Sequence, residues 1–190
     1  MDVLRLTLAA GLIVHKLLWE FLRWKVRASN SQSKRSPTLR SMFVKTLKAT
    51  VFVFLLVQAL FLDLFPISNE PSVLRNTGAI IFLMGLSLAI VGRLQLGKNW
   101  LDLEDADVLA DQSLVTRGVY AYIRHPIYSG DILLLIGLEL ALNSWLVLAM
   151  SVPLLIVVKQ ALAEEALLRH VYANYDSYCR QTKRFIPFIA

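Results

Sequence analysis

Five apolar stretches follow one another along the chain, at residues 3–21, 42–65 (or 47–65), 73–96, 127–142 and 145–161. The first three match the roughly 20 residues that a helix needs to cross a bilayer, and the last two barely reach that length. Asn143 and Ser144 form a tight turn between the last two, so these are expected to pair as a helical hairpin. The pattern predicts an all-α, polytopic integral membrane bundle of about five spans.

The first stretch is also open to interpretation as a signal peptide. Leu17, Leu18 and Trp19 occupy the place where a small-residue cleavage site is needed, so we expect an uncleaved span. In the third stretch, close helix packing is expected from its small residues, which are Gly85, Ser87, Ala89 and Gly92.

The polar segments lie at residues 23–48, 97–126 and 163–190. The first is rich in lysine and arginine, which stay on the cytosolic side of a membrane. With five spans, all three segments share that side, and the tail is expected to form an amphipathic helix followed by an extended end. We therefore predict two parts. Residues 1–94 hold N-terminal spans and a basic cytoplasmic loop, and residues 95–190 hold the functional core.

Composition supports a membrane protein, because 56% of the residues are hydrophobic against about 45–50% in soluble domains. The net charge of +6 is then explained by loops that face anionic lipid, and no nucleic-acid partner is expected. A single cysteine, Cys179, excludes an internal disulfide and a cysteine-based metal site. The histidines show no metal-ligand spacing, so no metal is expected.

The junction at residues 117–130, "RGVYAYIRHPIYSG", is basic and aromatic between two apolar regions. Pro126 suits the first turn of a helix, where free N–H groups and Arg124 favour an anionic group. His125 offers a hydrogen bond, and rings and hydroxyls are offered by Tyr120, Tyr122 and Tyr128. The alternative is an interfacial belt that anchors the span at the lipid headgroups.

The pair Glu164 and Glu165 stands directly after the fifth apolar stretch, where anchoring favours positive residues. One interpretation is a helix start, and the other is a carboxylate that binds a cation. If the hairpin forms, His125, Tyr128 and Glu164 face one pocket. Three tyrosines at helical spacing, Tyr172, Tyr175 and Tyr178, indicate a packing face more than a cofactor site. Glu139 must be paired or face a cavity.

These residues together resemble a known family. The chain resembles the isoprenylcysteine carboxyl methyltransferases in the run "LVTRGVYAYIRHPIYSG", followed by a hydrophobic hairpin, "EEALL", a Y-x-x-Y spacing and "RFIPF". The wider group around that family includes membrane phospholipid N-methyltransferases. The resemblance covers residues 95–190. It implies an S-adenosyl-L-methionine pocket in the C-terminal half, capped by the tail. It also implies a lipophilic small-molecule or prenylated acceptor that enters from the membrane lipids.

Carried over by position, the resemblance implies ten cofactor contacts: Gln112, Ser113, Leu114, Val115, Tyr120, His125, Pro126, Ile127, Tyr128 and Glu164. Glu165 is the alternative to Glu164. Weaker contacts to the acceptor fall on Arg124, Gln160 and Glu165. Gln160 stands where the eukaryotic enzymes carry an arginine that helps hold the acceptor carboxylate, which puts a prenylcysteine pocket in question.

Carboxyl O-methylation is the expected reaction, and N-methylation of a phospholipid or amine is the alternative. A carboxylate acceptor is already ionised at neutral pH, so catalysis by positioning is expected without an essential acid or base. An NADPH-dependent sterol-reductase-like enzyme and a non-catalytic membrane protein are further alternatives. The compact size favours a prokaryotic plasma membrane over the endoplasmic reticulum, with the site facing the cytosol.

Overall fold

The computed structural model describes residues 2–29, 39–99 and 113–187. Within these ranges the chain forms six α-helices: α1 (Val3–Ser29), α2 (Leu39–Phe61), α3 (Ser72–Leu96), α4 (Pro126–Ala141), α5 (Ser151–Val171) and α6 (Tyr175–Gln181). Short 3-10 segments occupy Gly97–Asn99, Gly118–Ala121 and Trp145–Met150. β-Structure in the described ranges is limited to two isolated bridges, so the predicted all-α class is confirmed.

Three of the described helical stretches are long and apolar enough to cross a membrane: Ser41–Phe61, Ser72–Leu96 and Trp145–Val171. They correspond to the predicted second, third and fifth spans, and the protein is a multi-pass integral membrane protein. The helix α1 carries Arg5, Lys16 and Glu20 along its length, and α4 has 16 residues, about 24 Å. A total of five spans therefore stays a prediction.

Three helices do not end where the predicted spans end, and the first of them, α1, continues past residue 21 to Ser29. The second span was expected to reach residue 65, but α2 ends at Phe61. Arg5 of α1 donates to the backbone oxygens of Gln58 and Ala59, which satisfies carbonyls at this end of α2. Phe65 then takes a positive φ of 49° in the turn that follows. The fifth span was expected to end near residue 161, with the helix continuing through Glu164 and Glu165. The sequence there consists of strong helix formers, and α5 does continue, to Val171.

The most extensive helix packing joins α3 and α4, which run antiparallel. Glycines make this approach possible: a Cβ on Gly85 would lie 2.3 Å from the backbone nitrogen of Leu134. Ala89 is buried at the same interface, where it meets Gly130, as the small-residue pattern predicts. Ser87, from the same predicted set, is exposed. The helix α5 meets α4 over a much shorter stretch, so the predicted hairpin pairs closely only in part.

The apolar core joins α1, α2, α3 and α4, with residues such as Leu8, Leu55, Phe82 and Leu138 buried against one another. Glu139 of α4 lies in this region, 1% exposed, and accepts a hydrogen bond of 2.9 Å from Gln58 Nε2. The acid is therefore paired, one of the two situations expected for it. The core holds α4 in place, and the N-terminal end of α4 carries the polar junction.

Candidate functional site

A pocket opens where α3 ends, α4 begins and α5 ends, beneath residues 113–121 and α6. Its lining mixes aromatic, aliphatic and charged side chains: Leu96, Asn99, Ser113, Leu114, Val115, Tyr120, Arg124, His125, Ile127, Tyr128, Glu164, Leu168, Tyr172, Tyr175 and Tyr178. Concave sites of this composition, apolar with a few convergent polar groups, are typical of small-molecule binding.

His125 is the N-cap residue of α4, and Pro126 occupies the first helical position, as predicted. The carbonyl oxygen of His125 accepts a hydrogen bond from the backbone N–H of Ser129 at 3.0 Å, the first bond of the helix. The imidazole is buried and stacks on the ring of Tyr128, with centroids 5.5 Å apart and planes inclined by 14°. The start of α4 therefore fixes an imidazole and a phenol side by side at the pocket wall.

Glu164 reaches this wall from α5. Its Oε2 accepts a hydrogen bond of 3.2 Å from the Tyr128 hydroxyl and lies 3.8 Å from His125 Nδ1. The Glu164 side chain keeps 27% of its surface accessible and lines the pocket. The structure thus brings His125, Tyr128 and Glu164 together, in the arrangement that the sequence predicts from the hairpin.

Glu165, the next residue, faces away from the pocket into a cluster of positive groups. Its Oε1 accepts from Arg124 Nε and Arg184 Nε, each at 3.0 Å, and lies 3.2 Å from His125 Nε2. Its Oε2 accepts from Arg184 Nη2 at 2.9 Å, and its side chain is only 1% exposed. The two adjacent glutamates therefore have different surroundings. Glu164 faces the pocket, and Glu165 holds residues 183–187, the C-terminal segment.

The C-terminal segment is also held through its backbone. Ile123 and Lys183 form a parallel bridge, with Arg124 N–H donating to Lys183 O at 2.8 Å and His125 N–H donating to Arg184 O at 3.1 Å. Ser129 Oγ donates to Phe185 O at 2.8 Å. Residues 183–185 are thus tied to the residues that form the pocket wall, on the side away from the pocket.

Buried tyrosines form the remaining wall. The Tyr178 hydroxyl donates to Tyr120 O at 2.7 Å, and the Tyr120 hydroxyl donates to Gly92 O at 3.3 Å. The rings of Tyr175 and Tyr178 meet edge to face, 5.9 Å apart. Burial raises the pKa of all three phenols above the ordinary value of about 10, so they are neutral at physiological pH. They offer aromatic faces to a planar ligand without adding charge.

The site residues implied by the resemblance fall into three groups. Most of them line the pocket: Ser113, Leu114, Val115, Tyr120, Arg124, His125, Ile127, Tyr128 and Glu164. Three are not among the lining residues, namely Pro126, which packs on Gly92, Gln160, one turn before Glu164, and Glu165. Gln112 lies outside the described residues.

Several lining residues were not predicted from the sequence. Leu96, Asn99 and Leu168 carry no motif that marks them. The tyrosine stripe was interpreted as a packing face, and Tyr175 and Tyr178 are indeed buried, but Tyr172, Tyr175 and Tyr178 also line the pocket. The sequence signal for their place in the pocket is that the three tyrosines follow Glu164 closely in the chain.

Comparison with known proteins gives a family. Residues 73–175 match the family described as phospholipid methyltransferase. The chain is 32% identical over 128 residues to protein-S-isoprenylcysteine O-methyltransferase of Tribolium castaneum, covering 66% of this chain and 46% of that protein. It is also 32% identical over 110 residues to the cobalt-zinc-cadmium resistance protein CzcN of Cupriavidus metallidurans, covering 55% of this chain and 47% of that protein. The chain thus spans about half the length of these curated relatives.

A solved structure has a similar fold. The eukaryotic intramembrane Ras methyltransferase, isoprenylcysteine carboxyl methyltransferase, superimposes with a TM-score of 0.61 at 21% identity. The superposition covers 100% of this chain and 69% of that chain. At this level of identity, the likeness concerns the fold.

Proposed function

The chain belongs to the phospholipid methyltransferase family, and on that premise we propose that it transfers a methyl group from S-adenosyl-L-methionine to a lipophilic acceptor in the membrane. The observation that supports the proposal is the meeting of His125, Tyr128 and Glu164 at one pocket. The same pocket has a wall of neutral tyrosines. Residues 95–190 are accordingly proposed as the methyltransferase core.

The residues present fit this cofactor. Glu164 offers a half-buried carboxylate to its ammonium group, where a charge-assisted hydrogen bond is stronger than a neutral one. Tyr120, Tyr175 and Tyr178 offer rings to its adenine. Ser113, Leu114 and Val115 line the same pocket, as the resemblance implies. When bound, the cofactor supplies an electrophilic methyl group on a sulfonium.

The protein's own part is to orient the cofactor and the acceptor and to exclude water from them. Glu164, Tyr128 and His125 form a rigid wall, and the C-terminal segment covers the outer side of that wall. Holding two reactants in a reactive geometry can lower a barrier by about 7–11 kcal/mol, so positioning alone provides substantial catalysis. A carboxylate acceptor would need no general base, since it is ionised at neutral pH.

Two acceptor chemistries are candidates. Carboxyl O-methylation is suggested by the names of the isoprenylcysteine relatives, and amine N-methylation by the description of the family. In either case we propose that the acceptor reaches the pocket from the bilayer and the cofactor from the cytosol. The basic polar segments favour that orientation, in a prokaryotic plasma membrane or in the endoplasmic reticulum.

Calorimetric titration of the detergent-purified protein with S-adenosylhomocysteine tests the proposal. We expect binding, and we expect Glu164→Gln to weaken it by about tenfold or more because a charged hydrogen bond is lost. Glu20→Gln, at an exposed i,i+4 pair on α1, is the matched control and should bind as the parent does. Binding of NADPH instead would favour a reductase. Absence of binding to both would favour a non-catalytic protein.

A further inference from the structure

A buried acid and a buried amide meet at the end of the bundle opposite the pocket. Glu139 of α4 is 1% exposed and Gln58 of α2 is fully buried, and Gln58 Nε2 donates to Glu139 Oε2 at 2.9 Å. Glu139 lies about 20 Å along α4 from His125, so it takes no part in the site described above. The pair joins α2 to α4, two helices that otherwise meet over few residues.

Each of the two side chains also has an oxygen that lacks a partner. Gln58 Oε1 and Glu139 Oε1 are both buried, and neither accepts a hydrogen bond from a described residue. Buried polar atoms are almost always hydrogen-bonded, so two orphaned acceptors on paired side chains need an explanation. The neighbours along the two helices, Leu55, Ala59 and Leu138, are buried and apolar, and their side chains supply no donor.

Among the described residues, no cation forms an ion pair with Glu139. At this end of the bundle, Arg5 donates to backbone carbonyls of α2 and pairs with Asp63, and Arg75 lies 3.9 Å from Asp63. Ser144, whose N–H donates to the backbone oxygen of Glu139, adds only a neutral hydroxyl. An ionised carboxylate buried beside neutral groups is costly, and such an acid takes up a proton instead.

One proton accounts for the whole arrangement. We propose that Glu139 is a carboxylic acid in the folded protein at neutral pH, and that its Oε1–H donates to Gln58 Oε1. With the bond from Gln58 Nε2 to Glu139 Oε2, this closes an acid–amide pair in which both orphaned oxygens have a partner. With the amide turned over, its oxygen would face Glu139 Oε2 at 2.9 Å, and that contact also needs a proton.

Other occupants of this place explain less. A water molecule between the two oxygens would satisfy them but would leave the charge of Glu139 uncompensated. A hard cation would compensate the charge, but such cations take about six or more oxygen ligands, and two orphaned oxygens meet here. The ligand that fits is therefore a proton. Because the pair is closed only while the acid holds its proton, it is a lock between α2 and α4 that opens when Glu139 ionises.

Infrared difference spectroscopy of the detergent-purified protein detects the proton directly. A protonated carboxyl has a carbonyl band that is well separated from the bands of a carboxylate. At about pH 7 we expect the parent protein to show such a band that Glu139→Gln lacks, although a solvated glutamate is ionised above about pH 4.3. Glu70→Gln is the matched control, because Glu70 is exposed, and it should keep the band.

Denaturant titration at several pH values tests the lock. The folded parent holds a proton that the unfolded chain releases above about pH 4.3. The stability from this pair is therefore full below that pH, and the folding equilibrium constant falls as the pH rises, by up to about tenfold for each pH unit. Glu139→Gln can close an amide–amide pair in the same place, so it should fold and should lack this component. Gln58→Leu removes both partners of the acid and should be less stable than the parent at about pH 7.

Three results would overturn the inference. These are the absence of an acid band that depends on Glu139, an equal pH dependence of unfolding in the parent and in Glu139→Gln, and stabilisation of the parent by sodium ions without the acid band, which would indicate a bound cation. None of these measurements involves a nucleotide or a methyl acceptor, so the outcome is independent of the proposed function.

Discussion

Replacement of Glu165 by glutamine removes the charge that holds the C-terminal segment against the pocket wall. In the folded protein this carboxylate accepts from Arg124 and twice from Arg184, and it contacts His125, at distances of 2.9 to 3.2 Å. Breaking a buried ion pair by removing one partner costs about 3–5 kcal/mol. The lower end of that range applies here, because Arg184 keeps 34% of its side-chain surface accessible and Arg124 also donates to backbone carbonyls. At about 1.4 kcal/mol for each factor of ten, a loss of 3 kcal/mol raises the population of a detached segment about 100-fold.

Limited trypsin digestion after Lys183 measures that population. When opening and closing are fast compared with cleavage, the rate of cleavage follows the fraction of molecules in which the segment is open. We expect Glu165→Gln to accelerate release of the C-terminal peptide by about 100-fold, as followed by mass spectrometry. Saturating S-adenosylhomocysteine should slow release from the parent protein, since a bound ligand stabilises the closed form.

Asp176→Asn is the matched control, because Asp176 also pairs with an arginine, Arg169 at 3.1 Å, but on the surface. Surface ion pairs contribute little, so its cleavage rate should stay within about twofold of the parent rate. Equal rates for the parent and Glu165→Gln, or equal acceleration by both variants, would show that the buried cluster does not hold the segment.

Three further predictions concern the pocket and the helices that carry it. Tyr128→Phe, which removes the donor to Glu164, should weaken S-adenosylhomocysteine binding by about threefold to tenfold in calorimetry, and unchanged affinity would exclude a role for this hydroxyl. Gly85→Ala should strongly lower the midpoint of detergent denaturation, because the added Cβ would lie 2.3 Å from a backbone nitrogen of α4. Ser87→Ala is the control, since Ser87 is exposed, and should leave the midpoint unchanged. Equal midpoints for the two variants would contradict the close approach of α3 and α4. Burial raises the pKa of Tyr175 and Tyr178, so the stability they confer is full below about pH 10 and is lost as the pH rises through their folded pKa. In an alkaline spectrophotometric titration, part of the tyrosinate signal should therefore appear only on unfolding, and complete ionisation of the folded protein near pH 10 would contradict the burial.

The helices were predictable because their signal is local. Long apolar runs predict spanning helices, and polar segments, some of them with prolines such as Pro66 and Pro71, separate them. The end of α2 was wrong for a different reason, since it depends on contacts between distant residues. Arg5 lies more than 50 residues before the carbonyls of α2 that it binds. The residues around position 61 therefore do not indicate that contact.

The sequence predicts the pocket residues that belong to one continuous motif. It does not predict those that a later part of the chain brings to the same pocket. The run from Tyr120 to Tyr128 could be recognised as one unit, and it forms one wall of the pocket. The different positions of Glu164 and Glu165 could not be assigned from sequence, because they depend on Arg124 and Arg184, on either side of them in the chain. The same reason explains why Tyr175 was not expected in the pocket.

Photolabelling with a diazirine derivative of S-adenosylhomocysteine, followed by peptide mapping, tests the central claim most directly. Label should fall on the peptides that carry Tyr120, Tyr128 and the tyrosines of α6, and excess unmodified nucleotide should abolish it. Label at the other end of the bundle, around Pro66 and Ser144, or label that unmodified nucleotide does not compete away, would contradict the account.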